Sequence, residues 1–131
     1  EADISTPIWK IKSLTSLKDP SVVKVVCGHK GEALYFTRSP VPYIRDKQKS
    51  DWVDSTEFWG HHGIYGFRRH VLENFDSISP GKLEDLEKLE QLRFLEAGFV
   101  IQTLKTSYKH VSVDEEADIK TLKSLINSNQ D

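Results

Sequence analysis

The chain has 131 residues, 37% hydrophobic and 29% charged, with 18 basic against 20 acidic side chains and a formal net charge of -2. This is the composition of one ordinary globular domain or part of a larger one, and it gives no electrostatic reason to expect nucleic acid or an anionic membrane as a partner. No apolar run approaches the ~20 residues that cross a bilayer, no secretory pattern is visible, and the lone Cys27 cannot form an internal disulfide.

The sequence begins at Glu1 and holds no methionine, so it is expected to be a piece of a longer chain. Ile4 to Ile11 is apolar, with Pro7 inside it, and reads as extended. Ser21 to Cys27 is β-branched and nearly continuous, the pattern of a buried strand. Gly28-His29-Lys30-Gly31 is a turn by composition, and Ala33 to Thr37 is a second strand. Arg38 to Glu57 is polar and punctuated by Pro40 and Pro42, and so predicts a long loop of the functional or mobile kind. A strand is expected over Gly60 to Phe67 and a short helix over Arg68 to Phe75.

Ser79-Pro80-Gly81-Lys82 reads as a helix start, with Ser79 as cap and Pro80 in the first turn. That helix is expected to run to Ala97 and stop at Gly98. Phe99 to Leu104 predicts a strand and Val111 to Val113 a shorter one. Asp114 then opens a last helix, with Glu115, Glu116 and Asp118 near the positive end of its dipole and Leu122, Leu125 and Ile126 as its apolar face. Strands alternating with helices make the fold class α/β, without internal repeats or an internal domain boundary.

A few side chains suggest chemistry. On one long helix, Leu86, Glu90 and Phe94 are four apart and share a side, which sets a carboxylate on the apolar stripe. Such a carboxylate needs a partner: either Arg93, three residues on, or the hydroxyls of a ligand. Gln91 beside it can both donate and accept, although a helical glutamine is ordinarily solvated. On a strand, His61, Gly63 and Tyr65 share one face, with His62 on the other. The glycine admits something close to the backbone, and the opposed histidines do not suit one zinc ion. Arg38 ends a strand and feeds a loop, where α/β folds place ligands. Asp114 suits either a helix cap or a Mg²⁺ held against phosphate. Cys27 reads as a small buried hydrophobe. No G-x-G-x-x-G, P-loop or G-x-S-x-G motif is present.

Taken in order, four segments carry a resemblance. They are Lys24-Val25-Val26 leading to Ala33-Leu34-Tyr35-Phe36-Thr37-Arg38-Ser39-Pro40-Val41-Pro42, His61-His62-Gly63-Ile64-Tyr65-Gly66-Phe67-Arg68, Lys88-Leu89-Glu90-Gln91-Leu92-Arg93, and Val113-Asp114 before an acidic helix. Together they resemble the second half of the 3-deoxy-manno-octulosonate (Kdo) cytidylyltransferases, the CMP-Kdo synthetases. Tyr43-Ile44-Arg45-Asp46 departs from the family's usual Trp-Asp-Arg-Asp, and Ser112-Val113-Asp114-Glu115 from Gly-Val-Asp-Thr; the aspartate is kept.

The resemblance implies a doubly wound, Rossmann-like nucleotidyltransferase fold with a mixed sheet. Residues 1–131 would be its sugar-binding and dimerisation half, and the CTP-binding half would lie outside this chain. It implies a cytoplasmic bacterial homodimer in which the anomeric hydroxyl of Kdo attacks the α-phosphorus of CTP, giving CMP-Kdo for lipopolysaccharide and releasing pyrophosphate. Arg38 would meet the sugar carboxylate, His61, Tyr65, Glu90 and Gln91 the hydroxyls, and Asp114 would be the catalytic ligand of Mg²⁺. The fragment alone would be inactive. Two rivals stand beside this reading: a sibling enzyme for another sugar acid, such as a sialic acid, and a non-catalytic binding or dimerisation module.

Overall fold

The computed structural model of the chain describes residues 2–107 together with Ile119, Lys120 and Lys123. The last three are helical; the expected strand at Val111–Val113, Asp114 and most of the last helix lie outside the described residues.

The α/β expectation holds, with a mixed six-stranded sheet. β1 (Ile4–Ile11) occupies its middle. β4 (Phe58–His61) pairs antiparallel with the second half of β1, and the short β5 (Gly66–Phe67) with its beginning. β6 (Ile101–Thr106) pairs parallel along the other edge of β1. β2 (Lys24–Cys27) joins β4, and β3 (Ala33–Thr37) joins β2. Helix α1 (Leu14–Lys18) follows β1, and α3 (Arg69–Glu73), within the short helix expected over Arg68 to Phe75, follows β5.

Pro7 sits inside the central strand because of how its neighbours change. Its carbonyl accepts the His62 amide at 3.0 Å, so the edge that lacks an N–H faces the gap between β4 and β5. No ladder donor is needed there. The β2–β3 hairpin is as expected: the Gly28 amide donates to Glu32 O at 2.8 Å, and Gly31 takes φ +79°. Its turn folds against the outer edge of β6, where the Thr103 amide donates to Gly31 O at 2.9 Å.

Three expectations need correction. The segment 38–57 is not structureless. It holds a 3-10 turn (Lys49–Asp51) and one turn of helix, α2 (Trp52–Ser55), which buries Trp52. The expected strand over Gly60 to Phe67 is split into β4 and β5. The Ile64 amide bonds back to His62 O at 2.8 Å, a three-residue turn that reverses the chain at Gly63.

The long helix is also two helices, α4 (Lys82–Glu87) and α5 (Gln91–Glu96). Lys88 between them is left-handed, with φ 53°. Ser79 and Pro80 stand outside α4, whose first residue follows Gly81. Glu96, on α5, accepts the Leu83 amide at 3.1 Å and so takes over the capping expected of Ser79. The break turns Leu86 out to solvent and Leu89 into the core. Leu86, Glu90 and Phe94 therefore do not share one helical face, and Glu90 is exposed at the start of α5. The expected stop at Gly98 is observed, with φ +85°.

The core has two parts. Ile4, Ile8, Val25, Phe36, Val71, Leu92, Phe94 and Ile101 form the larger, against which α5 packs. Trp9, Ile11, Leu17, Trp52 and Phe58 form the smaller.

Candidate functional site

The turn between β4 and β5, the end of β3 and the junction of α4 with α5 meet at one side of the larger core. His61 closes β4, and its ring is packed edge-on against Phe36 at 4.9 Å and tilted against Tyr65 at 5.3 Å. Tyr65 continues onto Phe67, and Phe67 onto Phe94 of α5. This aromatic row links the turn to the helix that carries Gln91. The shared face expected of His61 and Tyr65 is thus formed by the turn rather than by strand alternation. His62, the next residue, is buried, at 6% exposure.

Burial, with a smaller contribution from His62, lowers the pKa of His61 from 6.5 to about 4. His61 is therefore neutral at pH 7. The Tyr65 hydroxyl is pushed far up by burial and then by the Glu90 carboxylate. Glu90 thus acts on the Tyr65 hydroxyl through its charge. Gln91 is 5% exposed.

His61 Nδ1, the Tyr65 hydroxyl and the Gln91 side-chain amide make no hydrogen bond to any of the described residues, yet none of these atoms is sealed from solvent. Three polar groups on largely buried side chains are left open in this way, each able to bond a hydroxyl.

Arg38 reaches the same region from β3. Its Nε donates to Glu87 O at 2.8 Å, its Nη1 to Pro20 O at 2.9 Å and its Nη2 to Lys88 O at 3.4 Å. The guanidinium thus caps the C-terminal end of α4, and two of its five N–H groups remain for an anion. The Glu87 side chain completes the junction: Thr37 Oγ1 donates to Oε1 at 2.6 Å and the Arg38 amide to Oε2 at 3.0 Å. Burial alone would raise the Glu87 carboxyl, but the bonds from Thr37, Arg38 and Tyr35 outweigh it and hold the group below the usual carboxylate range. Arg93 is not the partner of Glu90. It forks onto Glu84, with Nε to Oε2 at 2.8 Å and Nη2 to Oε1 at 2.6 Å.

Among the described residues no group of three or more His, Cys, Asp or Glu could hold a metal. Mg²⁺ needs no such cluster, because one or two carboxylates and substrate phosphates hold it. Asp114 offers that donor chemistry and lies outside the described residues.

A family model described as cytidylyltransferase matches residues 1–113. The chain belongs to the cytidylyltransferase family. Among its relatives, the 3-deoxy-manno-octulosonate cytidylyltransferase of Chlorobium limicola is 38% identical over 126 residues, covering 95% of this chain and 49% of the relative. The protein of the same name from Geobacter metallireducens is 45% identical over 116 residues, covering 84% of this chain and 45% of the relative. A solved CMP:2-keto-3-deoxy-manno-octonic acid synthetase complexed with CTP superposes with a TM-score of 0.87 at 34% identity, over 98% of this chain and 50% of that one. The chain therefore spans about half the length of the cytidylyltransferases it matches.

Sequence reasoning missed two polar residues of this chain. Glu87 falls inside the predicted long helix, which ends instead at this residue, where it meets Arg38. Lys24 looked like one polar residue in an apolar strand. It is fully buried, and its Nζ donates to Asp19 O at 2.9 Å and Val22 O at 2.6 Å. Burial lowers the Lys24 pKa, against the opposing charges of Asp19 and Glu87. No spacing signal marks either residue.

The neutral His61 sets a pH dependence of stability. Its folded pKa, about 4, lies below the unfolded value of 6.5. Between those values the unfolded chain binds the extra proton, so stability is complete above pH 6.5 and falls as pH drops toward 4. The full span is up to about 3 kcal/mol. Urea midpoints of the wild-type protein and His61→Gln, compared from pH 7 to pH 4.5, are expected to converge as pH falls. A constant gap would mean that His61 does not carry the effect.

Proposed function

We propose that this chain is the sugar-acid side of a cytidylyltransferase that activates Kdo with CTP, giving CMP-Kdo and pyrophosphate. The carrying observation is the set of unbonded polar groups on His61, Tyr65 and Gln91, with the Glu90 carboxylate acting on Tyr65. A sugar acid offers several hydroxyls and one carboxylate. His61 Nδ1 and Glu90 accept from hydroxyls, the Gln91 amide does both, and the Tyr65 hydroxyl donates or accepts. The two N–H groups left on Arg38 meet the carboxylate.

In this reading residues 1–131 form half of a larger catalytic domain, and the other half supplies the CTP-binding groups. The anomeric hydroxyl then attacks the α-phosphorus, and pyrophosphate leaves. This chain's contribution is to fix the orientation of the acceptor sugar, which converts a bimolecular encounter into a positioned one. Mg²⁺ offsets phosphate charge when bound, with Asp114 as its ligand from this chain. The likeness to relatives named for Kdo supports this substrate over a sialic acid. A homodimer built through this half, a cytoplasmic location and a product used for lipopolysaccharide complete the proposal.

Calorimetric titration of the full-length protein tests the substrate. Kdo is expected to bind, and a neutral hexose is not. Equal binding by the hexose would contradict an acid-specific site. Asp114→Asn keeps a side chain able to cap a helix but removes the charge. It is expected to raise the Mg²⁺ concentration for half-maximal turnover about tenfold. An unchanged Mg²⁺ requirement would leave Asp114 a helix cap only.

A further inference from the structure

Thr6 lies at the centre of β1 and is completely buried. Its hydroxyl has three neighbours: His61 Nε2 at 2.9 Å, His62 O at 3.1 Å and Ile64 O at 2.8 Å. A threonine hydroxyl has one proton to give, and a carbonyl can only accept. His62 O already accepts the Ile64 amide at 2.8 Å, whereas Ile64 O has no other partner among the described residues. The proton of Thr6 therefore goes to Ile64 O. The hydroxyl oxygen is then left to accept, and among the described residues the donor facing it is His61 Nε2–H.

We infer that Thr6 is a positioning residue that holds His61 in the Nε2–H tautomer and aims the Nδ1 lone pair at the ligand site. The rest of the geometry agrees. Nδ1 has no partner among the described residues and is open to solvent. Phe36 and Tyr65 both pack against the ring and restrict its rotation. The same hydroxyl ties down the turn, through Ile64 O, that brings Tyr65 beside His61. One buried oxygen thus sets both the direction of an acceptor and the placement of its neighbour. A site whose histidine accepts selects a ligand that donates there, a hydroxyl rather than an ether or a carboxylate oxygen.

The inference rests on the proposed reading only for the identity of the ligand. Its test separates the two. Histidine ring-nitrogen NMR of the full-length protein at pH 7, with His61→Gln to assign the signal, reports the tautomer without any substrate. The wild-type protein is expected to show Nε2–H. Thr6→Val removes the acceptor while keeping the shape, and is expected to shift or broaden the His61 signals. The same variant is expected to raise the sugar-acid KM about tenfold and leave the CTP KM unchanged, the loss of one well-placed hydrogen bond. Thr6→Ser restores both. A wild-type Nδ1–H tautomer would overturn the inference, as would a Thr6→Val spectrum identical to wild type. Equal rises in both KM values would do the same, because they signal general damage. If the variant does not fold, the wild-type spectrum and Thr6→Ser still decide. An Nε2–H tautomer in a protein that turns over no sugar acid would sink the proposed function and leave the inference standing.

Discussion

Glu90→Ala is expected to raise the sugar-acid KM between about ten- and a hundredfold, with the CTP KM unchanged. The size follows from the chemistry: a hydrogen bond to a charged group contributes roughly 1.5–3 kcal/mol, and each 1.4 kcal/mol is a factor of ten. The selectivity follows from the structure. Glu90 is exposed at the first turn of α5 and its carboxylate makes no hydrogen bond among the described residues. Arg93, its expected partner, is spent on Glu84. Removing the carboxylate therefore costs the fold little, and the loss falls on the ligand. Glu90→Gln, which keeps a hydrogen-bonding end without the charge, is expected to lie between wild type and alanine. Steady-state kinetics with each substrate varied in turn check this, and unchanged values for both would remove Glu90 from the site.

Trp52→Ala is expected to destabilise the protein by about 3–5 kcal/mol, the usual cost of emptying a buried aromatic position. Trp52 is 2% exposed. It stacks on Phe58 at 6.2 Å between ring centres, takes the edge of Tyr43 at 5.0 Å and donates from Nε1 to Lys47 O at 3.2 Å. The Phe58 contact ties the 38–57 segment to β4, and the Tyr43 and Lys47 contacts hold the segment on itself, so their loss also loosens the chain that follows Arg38. A shift of the urea midpoint measures the effect. A loss under about 1 kcal/mol would mean that the smaller core closes over the gap.

The legible parts of this chain are those governed by neighbours in sequence. The β2–β3 hairpin follows from a β-branched run, a glycine turn and a second apolar run. The stop at Gly98 follows from a residue free to take positive φ. The helix break at Lys88 was not legible, because a lysine gives no local reason to adopt a left-handed conformation. The reasons are remote: Arg38 takes the carbonyls of Glu87 and Lys88, and Thr37 takes the Glu87 side chain. Likewise Ser79 is a good cap by composition, but Glu96 arrives through tertiary folding and caps α4 instead.

The candidate site was legible through residue type and through resemblance more than through periodicity. His61 and Tyr65 are brought together by a turn, not by the alternation that suggested them. Glu90 lies, by periodicity, on an apolar stripe that the broken helix does not have; the break leaves it exposed at the start of α5. Gln91 had no signal of burial at all. Thr6 stayed hidden because a β-branched residue in a strand looks like packing, and its hydroxyl matters only beside a histidine distant in sequence.

In the proposed function these side chains hold a sugar acid for transfer of CMP. Pyrophosphate release by the full-length protein, with CTP, Mg²⁺ and each of several sugar acids, tests it most directly. Release with Kdo, and none with a sialic acid, is the predicted result. Folded protein that releases pyrophosphate with no sugar acid would contradict the account and favour a binding or dimerisation module.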